Sequence, residues 1–74
     1  MKDKKEINES YRKCSYKIIT GYVPYIGKWR CRTSINYTES INPLKSISKL
    51  FENREDAESY CRNYCKTMID KKLG

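Results

Sequence analysis

Three observations on this chain of 74 residues predict an α+β fold, with a three-stranded antiparallel sheet packed against one C-terminal amphipathic helix. First, Lys28–Tyr37 alternates strictly: Trp29, Cys31, Thr33, Ile35 and Tyr37 occupy one side, and Lys28, Arg30, Arg32, Ser34 and Asn36 the other. A period of two suits a half-buried strand, whose successive side chains point to opposite faces. Second, Cys14, Tyr16, Ile18, Thr20 and Tyr22 alternate in the same way with Ser15, Lys17, Ile19 and Gly21. Third, Ala57, Tyr60, Cys61, Tyr64, Cys65, Met68 and Ile69 recur at three and four residues, the spacing of one helical stripe.

Taken in order, residues 1–12 are charged, have Ile7 as their one aliphatic residue, and are expected to form a flexible tail. Residues 13–74 are expected to form a single β-β-β-α domain. The first strand runs from Cys14 to Tyr22, with Lys17 on its outer side. Gly21–Gly27 contains Pro24 and a glycine at each end, so a hairpin loop follows. The second strand ends near Tyr37, and Thr38–Pro43 reads as a loop with Asn42-Pro43 as its turn signal. Leu44–Phe51 is expected as a third, edge strand, because Lys49 interrupts its apolar series. Asn53, with acidic Asp56 three residues later, resembles a capping box. It opens a helix from about Arg54 to Lys71, acidic in its first turn and basic in its last, as the helix dipole favours. The helix stripe is the available cover for one sheet face, which leaves the other to water or a partner.

Sixteen basic and nine acidic residues give a net charge of +7, and the excess is uneven. Residues 14–51 hold six basic groups against Glu39 alone, whereas residues 52–74 hold five of each sign. The positive field therefore lies on the sheet, where it attracts polyanions. No apolar run approaches the roughly 20 residues of a membrane-spanning helix. The charged start Met1-Lys2-Asp3-Lys4-Lys5-Glu6 lacks a leader's apolar segment, so a cytoplasmic location is expected.

Catalysis finds little chemistry here. Histidine is absent, the acids gather where helix capping explains them, and Gly21 and Gly27 flank a turn and open no phosphate-binding helix. No enzymatic activity and no cofactor are expected. The four cysteines admit three readings. Zinc is disfavoured, because Cys61 and Cys65 sit mid-helix and Cys14 and Cys31 are too distant in sequence to form a knuckle. Strand-to-helix disulfides suit a small secreted domain. Free cysteines acting as small buried apolar groups are preferred.

The candidate nucleic-acid-binding residues are Lys17, Lys28, Arg30, Arg32 and Asn36, joined by Lys45 and Lys49, with Ser34 as a further hydrogen-bonding group. Outward arginines two positions apart on a strand can reach phosphates or guanine edges. Tyr22, Tyr25 and Trp29 could stack on bases, although Trp29 is expected inward. A partner of another class, an acidic protein met by the exposed sheet of an adaptor or inhibitor, fits the same surface. No membrane contact is expected.

The strand-strand-strand-helix order, Phe51-Glu52-Asn53-Arg54-Glu55-Asp56-Ala57 and Lys28-Trp29-Arg30-Cys31-Arg32 together resemble the amino-terminal arm-binding domains of phage and transposon tyrosine recombinases. The resemblance covers roughly residues 15–70. It implies a sheet that enters the DNA major groove, with DNA contact at Lys28, Arg30 and Arg32; separately, the abundance of Lys, Asn, Ile, Ser and Tyr suits an AT-rich coding sequence, as in a phage, a mobile element or a low-GC bacterium. A stand-alone or excised module is expected, without the catalytic domain that follows in a recombinase.

Overall fold

The computed structural model describes residues 4–37, 40–41 and 43–74. An antiparallel sheet lies against one helix. Its strands are β1 (Lys4–Tyr11), β2 (Cys14–Val23), β3 (Lys28–Tyr37), β4 (Ser40–Ile41) and β5 (Lys45–Ser46), followed by α1 (Arg54–Leu73). The order across the sheet is β1-β2-β3, and the short β4 and β5 both pair with the far edge of β3. The α+β class, the antiparallel sheet and the single C-terminal helix agree with expectation; the strand count does not.

The expected flexible tail is the largest correction. Lys4–Tyr11 pairs along β2 in continuous register, from Lys4 opposite Gly21 to Tyr11 opposite Cys14. The turn between them is Arg12-Lys13, and both residues are left-handed, with φ of 51° and 68°. Two such residues in a two-residue loop are the type I′ geometry that matches strand twist. That turn usually announces itself by Asn-Gly, and here it is built from two long cations.

The expected third strand survives in fragments. Lys45 and Ser46 pair with Thr33 and Arg32, and Ile47 N–H donates to Cys31 O at 3.0 Å. Phe51 then bridges Trp29 through two 2.8 Å hydrogen bonds. From Ile47 to Phe51 the outer run advances four residues while β3 advances two, so Ser48-Lys49-Leu50 leaves the ladder. The Lys49 interruption falls inside this excursion. The expected Thr38–Pro43 loop falls partly outside the described residues, as does its Asn42 turn signal, but Ser40–Ile41 pairs with Asn36–Tyr37 as β4.

The core lies between the sheet and α1. Cys14, Tyr16, Ile18 and Thr20 of β2 and Cys31, Thr33 and Ile35 of β3 face Ala57, Cys61, Cys65 and Ile69 of α1, all buried. Trp29, Tyr37, Tyr64 and Met68 close its margins. The helix begins as expected: Asn53 is extended, and its side-chain oxygen accepts from the Asp56 N–H at 2.8 Å. Gly74, at φ 86°, caps the other end by donating its N–H to Asp70 O at 2.9 Å.

Cys31 and Cys61 are joined in a disulfide that ties β3 to α1. This corrects the preferred free-thiol reading for that pair, because both side chains meet in the sheet–helix layer. Cys14 and Cys65 remain free and buried. Cys65 lies 2.7 Å from the Thr33 hydroxyl, and burial pushes its thiol pKa up.

Candidate nucleic-acid interface

Residues opposite each other across antiparallel strands share a face, so the register maps both sides of the sheet. The face away from α1 carries three main rows: Lys4–Gly21–Arg30, Glu6–Ile19–Arg32 and Asn8–Lys17–Ser34. A fourth row, Ser10–Ser15–Asn36, continues toward the Arg12-Lys13 turn. α1 packs against the opposite face of β2 and β3, and the residues of these rows are exposed or half-buried. Arg30 is exposed and Arg32 half-buried.

The charged groups sort by face. On the helix side most cations meet an anion or a ring, Lys71 of α1 being an exception among the described residues. Lys5 lies 3.4 Å from Glu58, Arg62 grips Glu9, and Arg12 donates to Asp70 at 2.8 Å. Arg54 lies over Trp29 at 4.8 Å, Lys66 over Tyr11 at 5.5 Å and Lys72 over Tyr37 at 5.6 Å. Positions 58, 62, 66 and 70 of α1 thus form a second stripe, polar and one turn apart, that faces β1. The acids are correspondingly tuned. The hydrogen bond from Arg62, with a second from Tyr16, holds the Glu9 carboxyl below its ordinary pKa. Arg12 does the same for Asp70.

On the outer side the pattern differs. Lys17 lies 3.7 Å from Glu6, and Lys28 is paired with Glu52. Lys4, Arg30 and Arg32 have no carboxylate partner among the described residues. These three cations line a depression of about 240 Å³ together with Ile19, Gly21, Tyr22 and Pro24.

Most of the sequence-predicted residues therefore converge. Lys17, Lys28, Arg30, Arg32 and Asn36 share the outer face, although Lys17 and Lys28 are partly neutralised. Lys45 does not join them: it pairs with Thr33, an inward residue, and its ammonium lies 5.8 Å from the Tyr64 ring on the helix side. Lys49 is likewise turned to Tyr60, at 5.1 Å. Trp29 is directed inward as expected, with its ring 5.2 Å from that of Tyr22. Tyr25, at the β2–β3 hairpin tip, is 89% exposed.

Sequence reasoning missed Lys4 and the clearance at Gly21. Both depend on β1 being a strand, and the signal was the alternation of Lys5, Ile7, Glu9 and Tyr11 with Lys4, Glu6, Asn8 and Ser10. Apart from Ile7, the inner members of that series are long amphipathic chains and not aliphatic ones.

No helix is long and apolar enough to cross a membrane among the described residues, and none of their His, Cys, Asp and Glu side chains form a group of three or more placed to hold a metal ion. No protein-family model, curated protein sequence or solved structure matches the chain.

Proposed function

We propose that this protein is a small non-enzymatic nucleic-acid-binding module that lays the outer face of its sheet on duplex DNA. The observation that carries the reading is the sorting of charge. Most helix-side cations are matched within the fold, whereas Arg30, Arg32 and Lys4 have no carboxylate or ring partner among the described residues and share the face away from α1. Unmatched guanidiniums on a flat, hydrogen-bonded surface supply both the phosphate attraction and the bidentate donors that base edges accept. A sheet of this width fits the major groove, a known docking mode for strands. Arg30 and Arg32 make the main contacts, Lys4 and Lys17 neutralise phosphates, and Asn36 adds a hydrogen-bonding group. The resemblance to recombinase arm-binding domains supports the same assignment.

The test is a duplex-DNA titration across salt concentrations with the wild type and the Arg30→Ala/Arg32→Ala double variant. The wild type should lose affinity with a log–log slope of about −0.9 for each phosphate neutralised. The double variant should lose most of its affinity. Full retention by the double variant rejects the reading.

One observation favours an adaptor or inhibitor that docks on an acidic protein. Tyr25 and Ile26, 89% and 44% exposed, crown the hairpin beside Arg30 and form an apolar knob adjoining the cationic face. Aromatic residues next to arginine are typical anchors of protein interfaces. A pull-down from lysate with and without nuclease separates the two readings, since a protein partner survives the digestion.

A further inference from the structure

Gly21 lies within β2, where a glycine weakens a strand because its backbone loses more freedom on folding than that of any other residue. Nothing among the described residues requires it. Its φ lies outside the left-handed region, and a Cβ built there would meet no atom within 4 Å. A strand glycine without an internal reason marks a place where another molecule approaches the backbone closely.

The register shows what surrounds the missing side chain. Gly21 sits directly between Lys4 of β1 and Arg30 of β3 in one cross-strand row. Neighbouring strands are about 4.8 Å apart, so the two cationic positions stand about 10 Å apart with nothing between them. Arg32 borders the same depression from the next row, beside Ile19. Three cations with no carboxylate partner among the described residues thus face a gap one side chain wide, and like charges so placed favour an anion among them.

We propose that the gap over Gly21 seats a backbone phosphate of the bound nucleic acid, clasped between Lys4 and Arg30 with Arg32 alongside. This rests on the nucleic-acid reading and adds a contact to it. The glycine lets the phosphate settle against the sheet, so that one phosphate is met by two strands at once. Row by row, the outer face then has a phosphate seat at the Gly21 end and hydrogen-bonding groups, Ser34 and Asn36, toward the other.

The test compares Gly21→Val with the wild type. Valine is a good strand former with room for its side chain, so Gly21→Val should unfold at an equal or higher temperature. It should nevertheless bind duplex DNA more weakly, with the salt slope smaller by about 0.9, the loss of one phosphate. Unchanged affinity and slope in Gly21→Val, with the wild type still binding, overturns the phosphate seat and leaves the nucleic-acid reading standing. A second arm titrates inorganic phosphate at constant ionic strength and follows backbone amide shifts. Saturable shifts centred on Lys4, Gly21 and Arg30, absent in Gly21→Val, support the seat. The same shifts with no duplex binding overturn the nucleic-acid backbone as its occupant. No shifts at these residues, together with no duplex binding, overturn both proposals.

Discussion

Arg62 on the helix holds Glu9 on the outermost long strand through two hydrogen bonds, Nε to Oε1 at 2.9 Å and Nη2 to Oε2 at 3.1 Å. Tyr16 adds a third to the same carboxylate at 2.7 Å. Removing the guanidinium should loosen β1 selectively. Arg62→Ala is expected to lower global stability by about 1 kcal/mol, the upper end for a half-exposed pair. Amide exchange in Lys4–Tyr11 should accelerate more than exchange in β3. Uniform acceleration across the sheet would show that the pair does not fasten this strand.

Acid and alkali should act on different members of this network. Glu9 and Asp70 have folded pKa values below their ordinary ones, held down first by Arg62 and Arg12 respectively. The unfolded chain therefore takes up these protons first as pH falls. Their stabilisation is complete above the ordinary carboxylate range of about 4 and is lost as pH falls through the lower folded values. Tyr16 has the opposite sign: burial, then its bond to Glu9, push its hydroxyl up to about 12. That contribution is present below the unfolded value of about 10 and is lost as pH rises from there toward 12. Urea unfolding at pH 9, 10 and 11 should show the alkaline decline (on the order of 1 kcal/mol per unit for one fully linked proton), and Tyr16→Phe should reduce it. An identical decline in Tyr16→Phe would remove Tyr16 as its source.

The Cys31–Cys61 bridge closes a sequence separation of 30 residues. Loop-closure entropy for that length amounts to about 3–4 kcal/mol. The double variant Cys31→Ala/Cys61→Ala should lose a comparable amount in chemical denaturation, and treatment with reductant should lower the wild type's midpoint but leave the variant's unmoved. A reductant effect of equal size in both would place the sensitivity elsewhere.

Lys13 carries a side chain at φ 68° in the β1–β2 turn. Left-handed backbone costs a non-glycine residue roughly 1–2 kcal/mol. Lys13→Gly should therefore stabilise the protein by up to about 1 kcal/mol, read as a higher thermal midpoint. Arg12 shares the conformation but also holds Asp70, so Arg12→Gly should not show the same gain. A lower midpoint for Lys13→Gly would contradict the turn assignment.

Ile69 is fully buried in the last turns of α1. Ile69→Ala should cost about 2–5 kcal/mol through lost burial and an unfilled cavity. A cost under 1 kcal/mol would mean that the C-terminal end of the helix is not anchored to the sheet.

Elements whose inward residues are apolar or small were legible in the sequence. β2, β3 and α1 announce themselves by clean periods, and Asn53 marks the helix start because its side chain must satisfy an open N–H. β1 was hidden because its inward side reaches the helix through Lys5, Glu9 and Tyr11, whose partners Glu58, Arg62 and Asp70 lie about fifty to sixty residues away. Charge read along the chain resembles solvation; only the fold shows that it is paired. The cysteines were legible as inward residues, but spacing alone does not say which two meet. At the site, Arg30 and Arg32 followed from alternation, whereas Lys4 and the role of Gly21 needed the neighbouring strand. Lys45 was misplaced because its register against Thr33 turns it to the helix side.

Cys31 sits between Arg30 and Arg32, and its side chain is bolted to the helix behind them. The stretch of backbone that presents both guanidiniums is therefore stiff before any partner arrives. Association would need to quiet two side chains and little else, so recognition by this face should resemble the fit of a rigid template and not the wrapping of a pliable arm.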